Sequence, residues 1–166
     1  FEDNEVLLEP HLKQIAIATL TADQTPDRSS HFALLRGLFR AILSGRFELL
    51  YCEFLPLLPQ VLKLLNKQIS SAPTHKLRNV FAELCLTLPV RFSALVPYFR
   101  LLIPSMIVAL RSNINEDLFV NGVRLLEVML DNVAPSLLRP YLMEARSELL
   151  SAILGAEQLE QSNSIG

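Results

Sequence analysis

Lys76-Leu77-Arg78-Asn79-Val80-Phe81-Ala82-Glu83-Leu84-Cys85-Leu86-Thr87-Leu88 is the stretch on which the fold turns. Its apolar residues Leu77, Val80, Phe81, Leu84, Cys85 and Leu88 recur at i, i+3, i+4 and i+7, while Lys76, Arg78, Asn79, Glu83 and Thr87 fall on the opposite side. An α-helix places residues at those intervals along one stripe, so this segment is an amphipathic helix with its oily face turned to a core. Leu118, Gly122, Leu125, Leu126, Met129 and Val133 repeat the pattern downstream, and Leu35, Leu38, Phe39 and Ile42 repeat it upstream. Strict alternation, which a half-buried strand would require, is not found, and the chain has only 5 glycines. The chain is therefore read as all-α.

Punctuation divides it into about seven helices. The first runs from Pro10 to about Thr21, followed by a polar loop from Asp23 to Ser30 that contains Pro26. The second covers His31 to Leu43 and stops at Ser44-Gly45. The third, Phe47 to Gln68, must bend or break near Pro56 and Pro59. Thr74 caps the fourth, which ends before Pro89. Phe92 to Arg111 is the fifth, interrupted by Pro97 and Pro104. Asn113 and Asn115 supply a turn and a cap for the sixth, Glu116 to Leu130. The seventh is Ser136 to Leu154, with Pro140 in its first turns.

Repetition organises these helices. The second, fourth and sixth lack proline. The odd-numbered ones carry Pro10, Pro59, Pro104 and Pro140, separated by 49, 45 and 36 residues, and the anchors Leu35, Phe81 and Leu126 are separated by 46 and 45. A two-helix unit of that period is the mark of HEAT or armadillo solenoids, in which no pair can bury its apolar face alone. The expected architecture is an α-solenoid: a right-handed stack of roughly three and a half antiparallel pairs over residues 1–154. Residues 155–166 are expected to be a polar tail or the start of a linker. The 51% hydrophobic content and the polar run at the C-terminus suggest a fragment of a much larger chain, and no signal or transit peptide is readable at Phe1.

Composition narrows function. A net charge of −2 disfavours nucleic acid or an anionic membrane as the main partner. The apolar run Leu101 to Leu110, ten residues, is too short to span a bilayer. Cys52 and Cys85 lie 33 residues apart outside any C-x-x-C pair, so both are read as small core residues in a reducing compartment, and no Asn-x-Ser/Thr acceptor occurs. His11, His31 and His75 fall at helix starts without metal-ligand spacing. Neither a nucleophile elbow nor a phosphate-cradling glycine loop is present, and Glu116-Asp117 at a helix start is explained by the helix dipole. No enzymatic site, cofactor or small-molecule substrate is expected. One constellation remains. Arg36, Arg78 and Arg124 take comparable early positions in the proline-free helices, 42 and 46 residues apart, where repeated cations can ladder onto acids of the next unit; the competing reading is three unrelated solvated arginines. Arg36 and Arg40 form a like-charge i, i+4 pair, unfavourable unless an acid lies nearby.

Several strings carry a further signal. They are Leu34-Leu35-Arg36-Gly37-Leu38-Phe39-Arg40, then Glu48-Leu49-Leu50-Tyr51-Cys52-Glu53-Phe54-Leu55-Pro56-Leu57-Leu58-Pro59, then Glu83-Leu84-Cys85-Leu86-Thr87-Leu88-Pro89-Val90-Arg91. Gly122-Val123-Arg124-Leu125-Leu126-Glu127 and Asp131-Asn132-Val133-Ala134-Pro135 complete the series. In that order, from about Leu7 to Leu154, they resemble the HEAT-repeat region of the TRRAP family, the transcription-domain-associated members of the phosphatidylinositol-kinase-related proteins. The resemblance implies a nuclear scaffold subunit of SAGA-type histone acetyltransferase complexes that receives transcriptional activators. It also implies a kinase-like domain without catalytic residues, remote from this segment, and an acetyltransferase activity that resides in another subunit. No site motif of the family maps onto these positions. The competing readings are the helical arm of an active kinase of the same superfamily and the solenoid of a nuclear transport receptor. The latter usually shows regularly placed Asn and Trp on its inner surface; Trp is absent here.

Overall fold

The computed structural model describes residues 4–21, 28–112 and 115–163, and every regular element among them is helical. The α-helices are α1 (Glu5–Leu8), α2 (Leu12–Thr21), α3 (Arg28–Leu43), α4 (Glu48–Phe54), α5 (Leu58–Ser71) and α6 (His75–Leu86). They continue with α7 (Phe92–Leu95), α8 (Phe99–Leu110), α9 (Glu116–Asn132), α10 (Pro135–Glu144) and α11 (Arg146–Asn163). The predicted turn at Asn113 and the proline of the loop before α3 lie outside the described residues.

Local chemistry explains the boundaries. Thr74 Oγ1 accepts the Leu77 N–H at 3.2 Å and Asn115 Oδ1 accepts the Leu118 N–H at 3.1 Å, so α6 and α9 both begin on the side-chain caps expected of them. Gly45 ends the second helical segment with φ of +76°, a left-handed conformation that costs a glycine little.

Proline accounts for the split helices, but through different residues than the spacing predicts. Single 3₁₀ turns, Glu9–His11, Leu55–Leu57 and Val96–Tyr98, join α1 to α2, α4 to α5 and α7 to α8, and each has proline at its centre. A residue without an N–H fits the first turn of a new helix and forbids continuation of the old one. The equivalent prolines are thus Pro10, Pro56 and Pro97, 46 and 41 residues apart, and not the series Pro10, Pro59, Pro104, Pro140. Pro59 sits in the opening turn of α5, while Pro104 and Pro140 lie inside α8 and α10. The last predicted helix breaks at Ala145 instead, and its second half runs on to Asn163, through most of the stretch expected to be a tail.

The helices stack in two layers. One is α3, α6, α9, each touching the next; the other is α2, α5, α8, followed by α10 and α11 against α8. Cross-layer contacts of α2 with α3, α5 with α6 and α8 with α9 make three successive helix pairs among the described residues, an α-solenoid. Phe39, Phe54, Phe81 and Phe99 are fully buried between them. Phe32 of α3 meets Phe81 of α6 edge-to-face, ring centroids 5.0 Å apart, so the aromatic contact itself crosses a repeat boundary. Such a pair adds about 0.5–1.5 kcal/mol beyond its area burial. Layer spacing is tight where α9 crosses α8: a Cβ on Gly122 would lie 2.8 Å from that of Ala109.

The central helical stretch also corrects the ten-residue reading of the apolar run. Residues Phe92–Leu110 have the length and hydropathy, 1.7 on average, of a membrane-crossing helix. Packing accounts for the apolarity of the second half: Phe99, Leu102, Ile103, Met106, Ile107 and Leu110 are buried, and α8 packs against α5, α6, α9 and α11.

Candidate interaction surface

Arg36, one of the three arginines expected to ladder the repeats, forms an ion pair between α3 and α6. Its guanidinium Nη2 on α3 donates to Glu83 Oε2 on α6 at 2.7 Å, with 31% and 17% of the two side chains exposed. The acid that relieves the Arg36–Arg40 repulsion is therefore supplied by the following repeat. Arg40 itself is exposed. Arg78 is half-buried on α6 and Arg124 exposed on α9, and neither makes an ion pair among the described residues.

Other ties also join residues one repeat apart. Glu5 Oε1 accepts the N–H of Leu50 at 3.0 Å, Gln68 Nε2 donates to the Leu20 carbonyl at 2.9 Å, and Arg100 Nη2 donates to Glu144 Oε1 at 2.6 Å. Arg91, 3.7 Å from Glu48, lies over the Tyr51 ring at 5.0 Å from its centroid. Sequence reasoning missed all of these acids and amides, because partners some 45 residues apart meet only once the pitch of the stack is known.

Arg36, Lys76 and Val80 are common to two adjoining openings that form one trough along α3, α6 and the start of α9. On one side is an apolar groove of about 530 Å³ lined by Phe32, Ala33, Leu77 and Val80, with Arg36 and Lys76 at its rim. On the other is a polar cleft of about 810 Å³ lined by His75, Asn79, Asn115, Glu116 and Asp117. Apolar floor, cationic rim and acidic end are the ingredients with which a surface binds an amphipathic segment of another protein.

Potentially reactive groups fall into two kinds. Burial pushes the Cys85 thiol up to about 12, against a smaller lowering by its hydrogen bond with Ser105, so it stays protonated at neutral pH. Cys52, expected in the core, is instead exposed on α4, because the helix turns Leu50 and Phe54 inward and leaves position 52 on the outer face. Among the described residues no group of three His, Cys, Asp or Glu side chains is placed to hold a metal ion.

Comparison with known proteins agrees with this architecture. The family model described as the Tra1 HEAT repeat central region matches residues 1–159. The human transformation/transcription domain-associated protein is 41% identical over 152 residues, covering 91% of this chain and 4% of its own length. Transcription-associated protein 1 of Drosophila melanogaster is 40% identical over the same share of each. The SAGA complex/NuA4 acetyltransferase complex subunit Tra1 of Schizosaccharomyces pombe is 35% identical over 164 residues, 98% of this chain and again 4% of the relative. Repeating helix pairs, the ordered strings shared with the TRRAP family, and a match over nearly every residue lead to one assignment: the chain belongs to the Tra1/TRRAP family, within its central HEAT-repeat region.

Proposed function

We propose that this chain is a non-catalytic scaffold segment of a nuclear transcription co-activator subunit in SAGA-type histone acetyltransferase complexes. The observation that carries the proposal is the two-layer stack of the described helices, with contacts such as Glu5–Leu50, Gln68–Leu20 and Arg36–Glu83 holding one repeat to the next. Solenoids of this kind work by shape and surface. The fungal relative's name, a subunit of SAGA and NuA4 acetyltransferase complexes, supports the same reading. Neighbouring subunits and transcriptional activators are its partners in this proposal, and acetyl transfer belongs to another subunit. The trough beside Arg36 is the surface we assign to such a partner. Arg36 serves as an inter-repeat rung, whereas Arg78 and Arg124 offer cations that acids of a neighbouring subunit can reach.

Affinity purification of the intact parent protein, with identification of what co-purifies, tests this. Acetyltransferase-complex subunits are the expected catch; transport cargoes in their place would overturn the proposal. Leu77→Asp with Lys76→Glu in the trough is expected to deplete one partner while sparing the rest. Retention of every partner would remove the trough from the reading.

A further inference from the structure

Pro104 lies inside α8, the helix that touches α5, α6, α9, α10 and α11. Pro104 has no N–H, which leaves the carbonyl of Arg100 without its helical donor, and its ring crowds the preceding turn, to which Leu101 belongs. Asn66 of α5 stands opposite. Its Nδ2 donates to the Leu101 carbonyl at 2.7 Å and to the Leu62 carbonyl of its own helix at 2.9 Å. With carbonyl oxygens as both neighbours, the amide is oriented with its amino group toward them. The cost is visible: Asn66 Oδ1 is buried without a hydrogen-bond partner. On its other side the same turn is tied to α6, because Ser105, wholly buried, donates to the Leu102 carbonyl at 2.7 Å and is in hydrogen-bond contact with Cys85. An apolar residue at position 66 would satisfy the Leu62, Leu65 and Ile69 face of α5 without an orphaned oxygen. What asparagine adds is the bond to α8.

We propose that Asn66 is a positioning residue that staples α8 at its proline turn and thereby fixes the pitch between the second and third helix pairs. The third pair and the helices after it all rest on α8, so this one amide sets how they follow the first half of the stack.

Thermal stability is a poor readout, since Asn66→Leu removes both a bond and an orphaned oxygen. Hydrogen exchange of residues 99–110 in the intact parent chain separates the two. Asn66→Leu is expected to speed exchange there by about tenfold, the effect of one lost buried hydrogen bond. Exchange of residues 12–21 in α2, which packs on α5 but does not rest on α8, is expected to change by less than about threefold. Asn66→Ala is read in the same way should the leucine variant fail to fold. Unchanged exchange in residues 99–110 of the Asn66 variants, or equal acceleration in residues 12–21, overturns the proposal.

Discussion

The middle of the stack and its C-terminal end are built from the same kind of helix and have different fates. In α5, α6 and α8 the apolar stripe is almost wholly covered: Val61, Leu62, Leu65, Leu84, Met106 and Ala109 are all 0% exposed. In α9, α10 and α11 apolar residues of the same type stand open, with Leu130 at 55%, Leu137 at 59%, Met143 at 53% and Leu154 at 54%. The N-terminal end shows the same thing at Val6 and Leu7. α8 is the most apolar of these helices, but α5 and α6 are no more hydrophobic than α9 and α10; what sets them apart is the number of flanking repeats. A helix in a solenoid is buried by the unit before it and the unit after it, and within residues 1–166 by themselves the middle has both.

The comparison can be broken or sharpened by substitution, and the largest effect is expected at the centre. Phe81→Ala empties a site packed by α3 and α8 and is expected to cost about 3–5 kcal/mol in urea unfolding followed by helical circular dichroism. Leu137→Ala at the open end is expected to cost less than about 0.5 kcal/mol in the same assay. Equal costs would mean that burial does not follow position in the stack.

Glycines give the next effect, with opposite signs. Gly122→Ala places a Cβ 2.8 Å from that of Ala109 and forces α8 and α9 apart, at about 1–3 kcal/mol. Gly37→Ala, within α3 and with nothing inside 4 Å, is expected to stabilise by about 0.5–1 kcal/mol. The denaturation midpoints of the two variants should move in opposite directions.

Ion pairs give a smaller contrast. Arg36→Ala leaves Glu83, only 17% exposed, without its cation, and about 1–3 kcal/mol is expected. Arg100→Ala breaks a shorter pair whose side chains are 70% and 56% exposed, and less than about 1 kcal/mol is expected, vanishing in high salt. Distance alone ranks these pairs in the reverse order, so the measurement decides whether burial governs them. Thiol chemistry offers a check without mutation: Cys52 is expected to react with a maleimide in the folded protein, and Cys85 only after unfolding.

Much of this architecture is legible in residues because it is local. The caps at Thr74 and Asn115, the stripe from Leu77 to Leu88 and the glycine stop at Gly45 each depend on a few neighbours in sequence. What was not legible depends on the pitch of the stack. That Pro56 and Pro97, and not Pro59 and Pro104, occupy equivalent turns follows from where each short helix runs out. Cys52 was misplaced because two apolar neighbours, Leu50 and Phe54, define an inward face that leaves it outside. The partners of Arg36, Glu5 and Gln68 lie a full repeat away, at a separation that no helical periodicity specifies. Arg36 was visible as a cation early in a helix, but its acid was not.

Amide hydrogen exchange in a protein consisting of residues 1–166 alone tests most directly whether each helix is held by its neighbours. Slowest exchange is predicted in α5, α6 and α8, rising step by step toward α1 and toward α10 and α11. A single uniform rate across all helices, or terminal helices that outlast the centre, would contradict the account.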